Sequence, residues 1–138
     1  MTWWKVFART TNSAAPLFSL REVRTIMPHL DAHHVKALTM ILEIAQIDVK
    51  PGMEAEFEAG VKKAAPLFKR AKGCKFMTLQ RSHEMPQRYR LFVQWEALEN
   101  HTKDFRESPD FHEWRKLVGH CFSTPPNVEH VVEVMRGF

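Results

Sequence analysis

The alternation of hydrophobic and polar residues from residue 41 onward predicts a succession of strands and helices. Residues 41–49, ILEIAQIDV, are rich in β-branched side chains and apolar on both faces, which is typical of a strand covered on both sides. Residues 53–72 carry apolar side chains at intervals of three and four, which predicts a helix. Pro66 lies inside this stripe and predicts a kink or an early end near Ala65. Gly73 is well placed as the glycine that terminates the helix.

The second half of the pattern predicts a hairpin, a helical region and a last strand. Residues 74–82 and 88–96 have the composition of two strands joined by a polar loop. After a short helical segment, Ser108 has the character of a helix cap, with Pro109 at the first position of the new helix. Residues 127–135, NVEHVVEVM, form the predicted last strand.

The order of these elements, β-α-β-β-α(α)-β, predicts an α+β fold of the ferredoxin-like, split βαβ type. Such a fold has a four-stranded antiparallel sheet with helices packed on one face. The strands are apolar or aromatic on both sides, so the face without helices is expected to pack against a second subunit. The sequence therefore predicts a homodimer.

Charge and hydropathy limit the possible partners. The 138-residue chain has a formal net charge of +4. Residues 1–40 hold five Lys and Arg against two acids, whereas residues 41–138 hold fifteen against fourteen. The predicted domain therefore lacks the basic character of a nucleic-acid-binding protein. No apolar run approaches the roughly 18 residues that span a bilayer, so a membrane partner is not expected either.

The two cysteines, Cys74 and Cys121, are too few and too far apart for a disulfide framework or a zinc site. They are interpreted as thiols in a reducing compartment, which predicts a cytoplasmic protein. Residues 1–39 form a basic N-terminal extension, and residues 40–138 form the domain. Three interpretations of the extension stay open: a start codon placed before the true one at Met40, an organelle-targeting leader, or a docking arm.

Several short motifs in this order resemble a known family. They are the opening strand followed by Lys50-Pro51-Gly52-Met53-Glu54, then Gly73-Cys74, then Trp95-Glu96 with Glu99 and His101, then Ser108-Pro109-Asp110-Phe111. Over about residues 40–138 the chain resembles the antibiotic biosynthesis monooxygenase (ABM) domain, a dimeric α+β barrel family. The family includes cofactor-independent quinol and polyketide oxygenases, haem-degrading enzymes and members without an assigned activity.

The resemblance implies a monooxygenase that acts on a quinol-like or phenolic aromatic molecule, with molecular oxygen as co-substrate and no cofactor or metal. Such a reaction needs an apolar pocket and a base that takes the phenolic proton. His101 is the candidate base, because imidazole titrates near neutral pH and lies on an inward helix face. Trp95 is the second catalytic candidate, through its indole N–H or as a pocket wall. A structural tether for His101 and a plain core role for Trp95 remain alternatives.

The predicted pocket lies between the sheet and its helices. Its substrate-binding walls are predicted to be Phe76, Phe92, Phe105, Phe111 and Trp114. Leu91 stands where the polyketide oxygenases of the family imply an amide side chain, and Gln46 stands near the asparagine position of the haem-degrading branch. Two alternative functions follow: a non-catalytic member that binds a small molecule or a protein partner, and, with a poorer match of residues, a haem-degrading monooxygenase.

Overall fold

The computed structural model describes residues 40–138, together with Arg21, Thr25, Pro28, His29 and Asp31. The predicted extension, residues 1–39, lies almost entirely outside the described residues, and its division from the domain stays a prediction. The elements follow in this order: β1 Ile41–Asp48, α1 Glu54–Lys69, β2 Cys74–Arg81, β3 Arg88–Trp95, a π-helix Asn100–Phe105, α2 Pro109–Val118, a 3-10 turn Gly119–Cys121, and β4 Asn127–Val131.

The four strands form one antiparallel sheet in the order β2-β3-β1-β4. β1 lies inside the sheet, where Glu43 is paired with Val93 of β3 on one side and with His130 of β4 on the other. α1 and α2 pack on one face, which confirms the predicted ferredoxin-like fold. Within the described part of the chain, none of the helices has the length and apolar character that a bilayer span requires.

α1 begins after a turn at Gly52, whose φ of 86° favours glycine. Glu54 and Glu56 lie in its first turn, where acidic side chains interact favourably with the helix dipole. Gly60 is required by the close approach of α2, because a Cβ there would lie 2.7 Å from the carbonyl oxygen of Leu117. The buried side of α1 consists of Phe57, Gly60, Val61, Ala64 and Phe68.

α1 continues through Pro66 to Lys69, so the predicted early end before the proline is wrong. The last turn is held by Phe68, which is 2% exposed. Its ring lies 4.7 Å from the ring of Phe105 and 5.2 Å from that of Trp114, measured between centroids. These apolar contacts stabilise helical geometry even though proline removes one backbone hydrogen bond.

Two predicted boundaries also differ. Because α1 ends at Lys69, Gly73 is not its terminating residue; with φ of 78° it leads into β2, where its carbonyl accepts a hydrogen bond from the backbone N–H of Glu96. A Cβ at this position would lie 2.1 Å from the side-chain oxygen of Asn100, so only glycine fits. β4 ends at Val131, before the predicted end at residue 135.

The segment after β3 is a π-helix, Asn100–Phe105, where the sequence predicted an ordinary helix face. The wide turn is closed by the backbone N–H of Arg106, which donates to the carbonyl of His101. It places Asn100, His101 and Phe105 on the buried side together. π-Turns of this kind are often found at functional sites.

α2 begins as the sequence predicts. Ser108 has extended backbone geometry, and its Oγ accepts a hydrogen bond from the N–H of Phe111 at 3.3 Å, with Pro109 at the first helical position. Arg70, just after α1, donates through Nε to Asp110 in the first turn of α2 at 2.7 Å. The cap and the ion pair together fix the start of α2 against the end of α1.

The face of the sheet without helices, here called the outer face, is only partly buried. Along β3, the buried Val93 alternates with half-buried Phe92 and Gln94, which point away from the helices. Phe76 of β2 is opposite Gln94 on the same face and is 43% exposed. The apolar side chains of the outer face are Leu42, Ile44, Phe76, Phe92 and Val131.

Candidate active site

A cavity of about 500 Å³, counting the part that opens to solvent, lies between the sheet and the helices. Apolar side chains form most of its wall, and the ionisable residues on it are Glu43, His101, Arg106 and Arg115. The remaining lining residues are Ala45, Ile47, Phe68, Leu91, Phe105, Phe111, Trp114, Phe122, Pro126 and Val128. An apolar cavity with a few converging polar groups is the usual form of a small-molecule site.

The structure brings four of the seven predicted site residues to this cavity: His101, Phe105, Phe111 and Trp114. Trp95 is fully buried and lies behind the wall, in contact with residues that line it.

Phe76 and Phe92 do not belong to the cavity wall, and their predicted place is corrected. Both lie on the outer face, because side chains along a strand alternate between the two faces of a sheet. The sequence prediction grouped aromatic residues of neighbouring strands without separating the two faces. Only the pairing of Thr78 with Phe92, and of Phe76 with Gln94, shows which face they share.

Glu43 is a site residue that the sequence prediction missed. It lies in β1 on the same face as Ala45 and Ile47, faces the helices and is 5% exposed. Its carboxylate accepts a hydrogen bond from the indole N–H of Trp95 at 2.8 Å, and its other oxygen lies 3.4 Å from Nε2 of His101. A period of two along β1 marks Glu43 as the one acid among inward positions, a pattern visible in the sequence.

Burial raises the pKa of the Glu43 carboxyl to about 7. The hydrogen bond from Trp95 and the positive charge of Arg106 both act to lower that pKa, but the loss of hydration outweighs them. A carboxyl group with a pKa near 7 exchanges protons readily at neutral pH, which is the property of a general base or acid.

His101 is 4% exposed and lies between three partners. Its ring stacks on the indole of Trp95, with centroids 5.4 Å apart and planes 14° from parallel. Its Nδ1 lies 2.7 Å from Nε2 of His130 in β4, while its Nε2 faces Glu43. Burial lowers the pKa of His101 to about 3, with smaller contributions from the charges of His130 and Arg106. Burial also lowers the pKa of His130.

These pKa shifts show that Glu43 and His101 are not an ion pair at neutral or mildly acidic pH. The carboxyl group is protonated below about pH 7 and the imidazole is neutral above about pH 3. In this neutral state Nδ1–H of His101 can donate to Nε2 of His130 at 2.7 Å, whereas the 3.4 Å between Glu43 and Nε2 of His101 is a close contact, longer than a carboxyl O–H hydrogen bond. The three side chains therefore contact one another in series, an arrangement here called the relay, in which His101 uses its two ring nitrogens for different partners.

Glu43 and His130 lie at opposite ring nitrogens of His101, so the three side chains cannot bind one metal ion together. Gln46, which the family resemblance placed near the asparagine of a haem-degrading branch, lies on the outer face, where its amide oxygen accepts a hydrogen bond from Arg90 at 3.3 Å. It is therefore remote from the cavity and cannot contact a haem bound there.

The pH dependence of stability tests the raised pKa of Glu43. A carboxyl whose folded pKa is above its unfolded value stabilises the fold below pH 4.5, and this contribution is lost as pH rises through 7. The Glu43→Gln variant lacks this pH-dependent loss. Between pH 4.5 and 7, its free energy of unfolding should therefore rise by about 3 kcal/mol relative to that of wild type. Urea unfolding at a series of pH values measures the difference.

The lowered pKa of His101 acts in the opposite direction, since its contribution is lost as pH falls from 6.5 through 3. The two contributions offset each other in the wild type between about pH 4.5 and 6.5, and Glu43→Gln should uncover a rise of stability with pH there. Glu113→Gln, at an exposed position of α2 away from the outer face, is the control and should run parallel to wild type. A Glu43→Gln curve parallel to wild type would contradict the raised pKa.

The fold and the site define an α+β protein of ferredoxin-like topology with a buried acid–imidazole relay beside an apolar cavity. The family model named antibiotic biosynthesis monooxygenase matches residues 40–117. The chain belongs to this family, as the resemblance of its motifs implied.

Three individual proteins are similar to this chain. A crystal structure of a Bordetella bronchiseptica protein named for the same family is 60% identical, with a TM-score of 0.69, and the match covers 70% of this chain and 99% of that one. The uncharacterized protein YczJ of Bacillus subtilis is 42% identical over 96 residues, which are 69% of this chain and all of YczJ. SnoaB of Streptomyces nogalater, a cofactor-independent oxygenase, shares the fold at 19% identity and a TM-score of 0.56, over 72% of this chain and 96% of SnoaB.

Proposed function

We propose that the protein is a cofactor-independent monooxygenase that acts on a quinol-like or phenolic aromatic molecule, with Glu43 as its general base. One observation carries the proposal: Glu43, whose pKa is raised to about 7, faces an apolar cavity and connects to His101 and His130. This assignment moves the base from His101, the sequence candidate, because burial lowers the pKa of His101 to about 3.

The proposed reaction begins when ionised Glu43 takes the phenolic proton of the substrate. The resulting phenolate is electron-rich and gives one electron to dioxygen, and the substrate radical and superoxide then combine through a new C–O bond at a ring carbon that carries hydrogen. The peroxide loses the proton of that carbon and its O–O bond breaks. One oxygen atom stays as a carbonyl and the other leaves as water, so the substrate loses two hydrogens and gains one oxygen.

The relay gives the proton a path away from the substrate. A proton taken by Glu43 can pass to Nε2 of His101 while the proton on Nδ1 moves on to His130, which is half-buried in the edge strand β4. Trp95 fixes both groups, since it donates to Glu43 and stacks on His101. His101 and Trp95 are thus proposed to position and relay, with Glu43 making the first contact with the substrate.

The cavity wall supports an aromatic substrate. Phe105, Phe111 and Trp114 present ring faces or edges, which favour stacked and edge-on aromatic contacts. Leu91 lines the cavity where an amide is implied for polyketide oxygenases, so a different group must stabilise the substrate anion. Arg106 is proposed for this role, because it lines the cavity and its positive charge already acts on Glu43 and His101.

The proposal is tested by incubating purified, metal-free protein aerobically with a panel of hydroquinones and phenols while oxygen is recorded. Substrate-dependent oxygen consumption, with a quinone-type product in equal amount, supports a cofactor-independent oxygenase. Tight binding of panel members without oxygen consumption would replace the proposal with the non-catalytic binding function. A Soret shift on adding haemin, with haem breakdown, would favour the haem-degrading alternative.

The partner most consistent with the outer face is a second copy of the chain. Leu42, Ile44, Phe76, Phe92 and Val131 place apolar side chains of all four strands on this face, and no helix of residues 40–138 covers it. Burial of such a surface against its symmetry mate gives a twofold dimer. We propose this homodimer as the working form.

Phe92→Glu is expected to convert the dimer into a monomer, because it places a charge at the centre of the apolar surface. Analytical ultracentrifugation should show twice the 16.2 kDa chain mass for wild type and the single mass for the variant. Met85→Glu, an equivalent change in the exposed β2–β3 loop, is the control and should remain dimeric. A monomeric wild type, or a dimeric Phe92→Glu, would exclude this interface.

The cytoplasm is the proposed location. Cys74 and Cys121 are both free thiols, as expected in a reducing compartment. Burial raises the pKa of Cys74 to about 11 and also raises that of Cys121, so neither has the lowered pKa of a redox-active cysteine.

A further inference from the structure

We propose a second site, outside the cavity, at which Glu56, His120 and Cys121 bind a divalent transition-metal ion of the zinc type. Glu56 comes from the first turn of α1, and His120 and Cys121 come from the 3-10 turn after α2. One donor atom of each residue lies within 4.8 Å of the donors of the other two. No local motif in the sequence marks this group, because the carboxylate is 64 residues away from the histidine.

Two of the three donor atoms contact the same nitrogen of the third residue. Oε1 of Glu56 lies 2.8 Å from Nε2 of His120, and Sγ of Cys121 lies 3.6 Å from the same nitrogen. A Cys-His-Glu catalytic triad would need the two partners on opposite ring nitrogens, as in the relay around His101. Partners on a single nitrogen are instead arranged as ligands around a shared ion.

The distances suit a four-coordinate ion. Zinc bonds of roughly 2.0–2.1 Å to nitrogen, 2.3 Å to sulfur and 2.0–2.2 Å to oxygen, at tetrahedral angles, place nitrogen about 3.6 Å from sulfur and about 3.4 Å from oxygen. The observed separation of His120 Nε2 from Cys121 Sγ already has the first value. The carboxylate of Glu56 needs to withdraw by roughly half an ångström, which its exposed side chain allows.

Donor type and charge also agree with such an ion. Imidazole, thiolate and carboxylate together favour zinc or cobalt over magnesium or calcium, which prefer oxygen alone. A thiolate and a carboxylate neutralise a divalent charge, and the fourth position would hold water. Metal binding must displace the thiol proton, whose pKa burial raises; the nearby Lys50 favours the thiolate but opposes the cation.

A metal ion would reach the site from solvent between the side chains of His120 and Glu56. Cys121 is fully buried, whereas the side chains of His120 and Glu56 are 48% and 60% exposed. An ion that enters between imidazole and carboxylate meets the sulfur beneath them. The bound ion would tie the start of α1 to the segment that leads into β4, and this stabilising role is independent of the reaction proposed for the cavity.

Titration of the metal-free protein with Co²⁺ tests the site, because a thiolate-to-cobalt charge-transfer band appears only when sulfur binds the ion. The expected result is one band-forming ion per chain, displaced by Zn²⁺, with a melting temperature that rises with Zn²⁺ concentration. Glu56→Gln and His120→Ala, both at exposed positions, should weaken Co²⁺ binding by at least roughly 10- to 100-fold. That is the loss caused by removing a hydrogen-bond partner of a metal ligand, and removing a ligand itself should cost no less. Cys121→Ser should abolish the band.

Cys74→Ser is the matched control, since it removes the other thiol and should leave the band unchanged. Circular dichroism shows whether Cys121→Ser remains folded; if it does not, the two exposed variants decide. Absence of the band in wild type, its persistence in Cys121→Ser, or an unchanged affinity in Glu56→Gln would each overturn the site. Oxygen consumption with the aromatic panel is measured on the same samples, so failure here is distinct from failure of the proposed reaction.

Discussion

Glutamine in place of Glu43 is expected to slow substrate-dependent oxygen consumption by about 10²- to 10⁴-fold, the range that general acid–base catalysis supplies. Glutamine has nearly the same volume and its amide oxygen can still accept the hydrogen bond from Trp95, so the fold is retained. It cannot take a proton from the substrate. The loss should therefore be in kcat, with substrate affinity measured by equilibrium binding little changed.

The pH profile distinguishes Glu43 from His101 as the base. If ionised Glu43 takes the proton, kcat/KM of wild type rises with pH through about 7, the pKa to which burial raises the carboxyl. A profile controlled by His101 would rise through about 3 and be flat near neutrality. Glu113→Gln, at an exposed position of α2, should keep the wild-type rate. Unchanged activity of Glu43→Gln, or a flat profile around pH 7, would remove Glu43 from the mechanism.

Alanine in place of Phe68 is expected to lower the free energy of unfolding by about 3–5 kcal/mol, as is usual for a buried phenylalanine. The side chain is 2% exposed and its ring contacts those of Phe105 and Trp114. Its removal also releases the last turn of α1, where Pro66 already weakens the backbone hydrogen bonding. Urea unfolding followed by tryptophan fluorescence measures the loss.

Phe76→Ala provides the comparison for this measurement. The same atoms are removed from a side chain that is 43% exposed on the outer face. Within one chain, Phe76→Ala should lower the free energy of unfolding much less than Phe68→Ala does. If the outer face forms the dimer, any further loss caused by Phe76→Ala should depend on protein concentration. Equal losses at the two positions would contradict the assignment of the core to the helix-covered face.

The sequence determined most of the fold because its signals are local. The alternation in β1, the helical spacing through Phe68 and the Ser108 cap each depend on residues a few positions apart, and each predicted element is present. Gly73 does not end α1, and three further details differ from the local prediction. α1 continues through Pro66, the segment after β3 is a π-helix, and β4 stops at Val131, because tertiary packing overrides local preference at these points.

The residues of the candidate site were also only partly predictable from the sequence. The sequence identified the aromatic wall of Phe105, Phe111 and Trp114 and drew attention to His101, since all are on predicted inner helix faces. It also placed Phe76 and Phe92 on the wall, although register puts them on the other side of the sheet. A strand period states which residues share a face, but the identity of the covered face is fixed only when helices pack on it.

The sequence by itself thus determined the family, the order of elements and the apolar character of a pocket, because short-range periodicity and motif order contain that information. The tertiary structure decided the chemistry. Glu43, Trp95, His101 and His130 come from four separate elements, and their side-chain contacts span up to 58 residues of chain, between Glu43 and His101. Only their burial together raises the pKa of one carboxyl and lowers that of its imidazole neighbour, since desolvation depends on what packs around a group and not on its neighbours in sequence.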